Sequence, residues 1–223
     1  MDYHSQEFDK HIASTKLIAQ VTGLDKNLDE LIDFYTSKVS PILEKKYDED
    51  QKPKVYVEHG YEGEKEYGNS YGSNKMWGKI VEDCGGHNIG SDALGADEAI
   101  PLSSEFVLSE DPEKIILTGS QWIEKPHSMK MGYDTSADQV KEKIDLYNSR
   151  LGWSDLEAMK NKEIYVISQQ LVRDMSDFYS YEFIAKTLHP EEYKDLDPEK
   201  DFEEFYQKFM PIGLEGTWSY KYE

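Results

Sequence analysis

Apolar positions along the chain fall first at helical spacing and then in short runs separated by polar loops. Across residues 7–22, Phe8, Ile12, Thr15 and Ala19 share one helical face, and Gly23 is suited to close that helix because it tolerates a left-handed backbone. A second helix follows, with Leu28, Leu31, Ile32, Tyr35, Val39, Ile42 and Leu43 on one stripe. Asn27 with Glu30 predicts a capping pair at its start, and Pro41 predicts a kink near its end. Beyond the charged run 44–54 the texture changes. Val55-Tyr56-Val57, Ile115-Ile116-Leu117 and the run 164–167 predict short buried strands, with a brief extended segment at Asn88-Ile89.

Helices are predicted between these strands. One begins near Asn74, capped by Ser73, and carries Met76, Trp77, Ile80, Val81 and Cys84 inward until Gly85-Gly86 stop it. A short helix starts at Ser103 or Ser104 and runs to the Asp111-Pro112 break, and a longer one spans 137–151. Another carries Phe178, Tyr181, Ile184, Ala185 and Leu188; the last amphipathic helix bears Phe202, Phe205, Tyr206 and Phe209 and is followed by a tail with Trp218. Strand alternating with helix predicts an α/β fold: a three-layer αβα lobe around a mostly parallel sheet, preceded by a long helical arm.

Charge and composition narrow the function classes. Lys and Arg number 25 against 45 Asp and Glu, a net charge of −20, so a nucleic-acid partner would meet a repulsive field and is set aside. Cys84 is the only cysteine, which rules out an intrachain disulfide; its apolar neighbours predict burial. No stretch approaches the roughly 18 apolar residues of a membrane span, and the first twenty residues lack the pattern of an export signal. No direct membrane insertion is expected.

Candidate chemistry concentrates in three loops that leave the carboxyl ends of predicted strands, the edge where ligands bind in sheets of this kind. Residues 60–72 carry Tyr61, Glu62, Tyr67 and Tyr71, with Asn74 just beyond; residues 120–136 carry Trp122, His127, Met129, Met131 and Tyr133; residues 168–176 carry Arg173 and Asp174, with Tyr179 at the far end. Aromatic rings with a few polar groups suit an organic ligand. The helix after Ser73 points its positive end at the same edge and Arg173 can fork onto a carboxylate, so an anion is favoured, although Arg173 can equally pair with Asp174. Met129 and Met131 keep a soft-metal role for His127 open, while His59 and His87, beside strands, read as structural. Catalysis has little support. Gly119-Ser120 lacks the second half of a nucleophile elbow, residues 68–72 are not a dinucleotide fingerprint, and no pair has zinc-site spacing, so neither an intrinsic cofactor nor a metal is expected.

Several motifs in order carry a family resemblance: Lys54-Val55-Tyr56-Val57; Cys84-Gly85-Gly86-His87-Asn88; Ser104-Glu105-Phe106-Val107-Leu108 followed by Asp111-Pro112; Gly152-Trp153-Ser154-Asp155-Leu156 before the strand at Ile164; and His189-Pro190-Glu191 with Trp218. Together the chain resembles the class III substrate-binding proteins of ABC importers, which carry iron-siderophores, haem or cobalamin between two lobes joined by one long helix. The resemblance implies a non-enzymatic protein that works extracytoplasmically, in the periplasm or anchored to the cell surface. It would capture a small-molecule metal chelate, an iron complex or a corrinoid, and deliver it to the permease subunits. It also implies that residues 1–23 correspond to the last helix of a first lobe, 24–53 to the spine helix and its connection, and 54–223 to the second lobe, with most of the first lobe outside this sequence. Members of the family dock through a glutamate on each lobe, and Glu105 matches the second-lobe position. The resemblance would place ligand contacts among Tyr61, Tyr67, Tyr71, Asn74, Trp122, His127, Arg173 and Tyr179. An α/β enzyme of unknown reaction and a metal-binding or surface-interaction module are the alternatives.

Overall fold

The computed structural model describes residues 1–3, 5–23 and 26–223; the expected start of the spine segment at residue 24 lies outside them. At its centre is a five-stranded sheet in the order β3-β1-β5-β6-β7, built from β1 (Lys54–His59), β3 (His87–Asn88), β5 (Lys114–Gly119), β6 (Ile164–Ser168) and β7 (Ser219–Lys221). The first four run parallel, with Tyr56 opposite Ile115 and Leu117 opposite Val166, and β7 closes the edge antiparallel to β6. In chain order, the segment between β1 and β5 also forms a separate antiparallel ribbon of β2 (Asn69–Tyr71) and β4 (Ala99–Pro101).

The strict alternation of strand residues builds two cores. Val55, Val57, Ile116, Tyr165 and Ile167 face one side, where α2 (Leu28–Leu43), α3 (Met76–Asp83), α8 (Phe178–Leu188) and α9 (Pro198–Phe209) cover them. Tyr56, Ile115, Leu117, Ile164 and Val166 face the other, under α5 (Ser104–Glu110), α6 (Ala137–Tyr147) and α7 (Glu157–Lys160). This is the expected three-layer α/β lobe. α2 is no free arm: Tyr35, Val39 and Ile42 belong to the same core as the sheet, and the Phe34 ring meets Phe178 edge-on at 5.2 Å. α1 (Phe8–Thr22) stacks on it through Phe8 and Tyr35, with ring centroids 5.5 Å apart.

Local expectations hold unevenly. Gly23 ends α1 in the left-handed conformation, and Ser103 caps α5 by accepting from the Phe106 N–H. The Asn27 side chain makes no capping hydrogen bond among the described residues; its carbonyl accepts from the Leu31 N–H at 3.0 Å, and Asp29 and Glu30 lie in the first turn of α2. The helix then runs through Pro41 to Leu43, because proline in the last turns sacrifices little of the hydrogen-bond ladder. α3 begins at Met76, not at Asn74, and Lys75 rather than Ser73 precedes it. The helix predicted to reach 151 stops at Tyr147. Cys84 is wholly buried, its thiol 3.4 Å from the Tyr181 carbonyl, and burial pushes its pKa up.

Glu182 on α8 gives the lobe a pH dependence. Its carboxyl is fully buried, with Asp201 and Lys38 as charged neighbours, and burial followed by repulsion from Asp201 pushes it from 4.5 up to about 9. The folded state therefore keeps a proton that the unfolded chain has lost, and stability falls as pH rises from about 5 towards about 9. Glu182→Gln is expected to flatten that slope and to stabilise the protein near pH 8 by about 2 kcal/mol, read from denaturant titrations across pH.

Candidate functional site

The carboxyl edge of the sheet is marked by His59, Gly119 and Ser168, and the three loops that follow are fastened to one another there. The Gly60 N–H donates to the Thr118 carbonyl at 2.9 Å, the Met129 N–H to the Gly60 carbonyl at 2.8 Å and the Gln169 N–H to the Gly119 carbonyl at 2.7 Å. Trp77 reaches up from α3 to donate its indole N–H to Gln169 at 2.8 Å. Glycine is required at the closest approach. At Gly63, φ is 67° and an added Cβ would stand 2.0 Å from the His127 carbonyl oxygen.

On this base sit three rings. Trp122 meets Tyr61 edge-on at 5.3 Å and His59 at 4.8 Å, while His59 and Tyr61 lie 5.9 Å apart. The Lys125 ammonium stands 4.6 Å from the centre of the Tyr61 ring and pairs with Glu62 at 2.9 Å. Lys130 donates to the Trp122 and Lys125 carbonyls, fixing the turn that presents the indole. Burial lowers the pKa of His59, so its imidazole is neutral at pH 7 and offers a nitrogen lone pair. His59, read from the sequence as structural, packs as part of this ring cluster. A polar residue closing a strand gives no sequence signal for that packing.

The remaining candidates divide. Tyr71 and Tyr179 are buried in the core. Tyr179 bonds Ser219 at 2.6 Å and packs on Phe202. Met129 and Met131 are fully buried under the loop, which separates them from exposed His127 and removes the soft-metal grouping. His127 instead lies 2.9 Å from the Lys65 ammonium. Asn74 is exposed and its N–H donates to the Ala96 carbonyl. Arg173 is exposed with a left-handed backbone at φ 66°, and its N–H donates to Gln6; Asp174 accepts from Ser176. Among the described residues no three His, Cys, Asp or Glu side chains converge as a metal site.

Tyr67 joins a different assembly, centred on Arg150, that the sequence does not announce. The guanidinium forks onto Glu58 at 2.6 and 2.7 Å, donates to the carbonyls of Gly63, Glu64 and Glu66, and lies 4.4–4.6 Å from the ring centres of Tyr67, Tyr147 and Trp153. Tyr56 donates to the same carboxylate at 2.9 Å, and the Trp153 indole donates to Tyr67 at 2.7 Å. The first loop is thus pinned from beneath. Beside the pin, Tyr67 borders a groove of about 730 Å³ shared with Glu64, Lys65 and Glu105.

The family model for periplasmic binding proteins matches residues 1–171. A TroA-like periplasmic binding protein, FepB from Veillonella parvula, superposes with a TM-score of 0.93 at 35% identity, over 100% of this chain and 64% of that one. The molybdate-binding protein MolA of Haemophilus influenzae is 22% identical over 150 residues, which cover 63% of this chain and 35% of MolA; its molybdate-bound structure superposes with a TM-score of 0.70. A haem-binding protein, RhuT from Roseiflexus, superposes at 0.62 with 15% identity, covering 83% of this chain and 64% of that one. The chain thus spans less than two thirds of the length of these relatives. At the lower identities the likeness speaks for fold alone, and no helix among the described residues is long and apolar enough to cross a membrane. The matched model, the FepB superposition and a parallel sheet whose loops gather at one edge together place the chain in the periplasmic binding protein family, a family of transport proteins and not of enzymes.

Proposed function

We propose that the chain serves as ligand-binding lobe and spine of an extracytoplasmic substrate-binding protein, which hands an iron complex to an ABC permease. The observation that carries this reading is the cluster of His59, Tyr61 and Trp122, fixed at the carboxyl edge of the sheet with Lys125 over one ring. Ring faces with a neighbouring ammonium suit a large anionic organic chelate, such as a ferric siderophore or haem, or a corrinoid. A bare tetrahedral oxyanion calls instead for converging N–H donors. Arg173 would contribute charge from the third loop, and His127 and Asn74 would lie at the margin. Glu105, exposed in the first turn of α5, supports the docking role its position suggests.

Titration of the protein with ferric catecholates, ferric hydroxamates, haem, cobalamins and molybdate tests the reading. Saturable binding of a chelate is expected, and binding of none, or of molybdate alone, would overturn it. With the bound chelate as probe, Trp122→Ala is expected to weaken affinity about tenfold or more, with the melting temperature little changed, since the half-exposed indole belongs to neither core.

A further inference from the structure

We infer that Gln6 is a positioning residue for cargo: from the segment ahead of α1 it holds the third loop so that Arg173 presents its guanidinium to the anionic groups of the chelate. This rests on the reading above that the carboxyl edge of the sheet binds an anionic chelate. Arg173 belongs to that edge. The Gln169 N–H of the same loop bonds the Gly119 carbonyl at the end of β5, and the Arg173 charge is close enough to act on buried Tyr71, beside Thr118 and Gln169. Gln6 lies 167 positions away in sequence, yet its Oε1 accepts the Arg173 N–H at 3.3 Å.

Both residues have left-handed backbones, with φ 50° at Gln6 and 66° at Arg173. Residues other than glycine keep such conformations only where their surroundings impose them. Asp111 and Lys162 share the conformation for an ordinary reason, since each follows the last turn of a helix. Gln6 and Arg173 close no helix and are bound to each other instead. Gln6 is 1% exposed, and both ends of its amide are used: while Oε1 holds the loop, Nε2 donates to Asp177, which is wholly buried at the start of α8. That carboxyl is held in turn from α1, whose His11 Nδ1 stands 3.0 Å from it, and from α2 by Tyr35. On either side of Arg173 the loop is tied down again. Asp174 accepts from the Ser176 N–H at 2.7 Å, and the Ser180 hydroxyl donates to the Leu171 carbonyl at 2.5 Å. The Arg173 backbone is thus fixed while its side chain stays exposed, the arrangement that lowers the entropic cost of gripping an anion.

The test is titration of the protein, as its gene encodes it, with two anionic probes, a trianionic hexadentate ferric tris-catecholate and haem. For whichever binds, Arg173→Met is expected to weaken affinity about tenfold and Gln6→Met about fivefold, and both to flatten its dependence on salt. In the Arg173→Met background, Gln6→Met is expected to cost less than about twofold, because the loop then has no charge to aim. That coupling is the decisive readout, since a merely structural glutamine would cost the same in both backgrounds. Gln6→Asn keeps an amide too short to span Asp177 and the loop; it should show a smaller loss in the same sense, and it carries the cycle where the Met variant fails to fold. Gln6 variants that bind within about twofold of the parent, or that lose as much without Arg173 as with it, would overturn the inference. A parent that takes neither anionic probe would overturn it as well; binding of a neutral ferric tris-hydroxamate or a cobalamin would then leave the cargo reading standing, and binding of no chelate would remove both.

Discussion

Arg150→Met is expected to lower the unfolding free energy by about 3–5 kcal/mol, measured by urea or guanidinium titration, the largest loss of any single side chain considered for this lobe. The guanidinium is the sole cation facing Glu58 in the described hydrogen bonds, and that carboxylate is completely buried. Removing one member leaves a charge in a site that cannot hydrate it, and it strands the carbonyls of Gly63, Glu64 and Glu66. Adding Glu58→Met should recover much of the loss, because the uncompensated charge then disappears together with its partner. A double variant no more stable than the single one would assign the cost to the three carbonyls. Chelate affinity should fall as well, since the segment that loses its pin is continuous with Tyr61.

Gly63→Ala is expected to cost about 3 kcal/mol, from the left-handed backbone and from overpacking against the neighbouring carbonyl. The methyl group would meet the His127 carbonyl oxygen at 2.0 Å, and that backbone atom can yield only if the first two loops separate. Separation would move Tyr61 away from Trp122, so affinity for the chelate should drop together with stability. Calorimetric binding and thermal melting on the same preparation check both, and a variant that melts early yet binds normally would show that the ring cluster tolerates the shift.

The two cores were readable because unbroken apolar runs and helical stripes state their own burial: Val55, Tyr56 and Val57 are all buried, divided between the two faces of the sheet. Short elements were not. β2, β4 and β7 hold three residues each, too few for a period, and form only because partners distant in sequence offer an edge. The site shows the same division. Tyr61 and Trp122 lie in two loops rich in turn residues and were legible as loop aromatics. Tyr71 and Tyr179 carry the same ring and hydroxyl but bury both, and a lone tyrosine in sequence does not say which it will do. Arg150 was invisible because it meets Glu58 across 92 positions, and nothing local distinguishes it from a solvated helix end.

The buried thiol of Cys84 makes the chain chemically silent to sulfhydryl reagents, because the reactive thiolate is both inaccessible and disfavoured. A cysteine introduced at Ile123, the 93% exposed neighbour of Trp122, would then be the single labelling point in the molecule. A fluorophore attached there would sit at the lip of the ring cluster and respond to its occupancy. The packing that hides one sulfur thus leaves the protein ready to carry a single reporter beside the ring cluster.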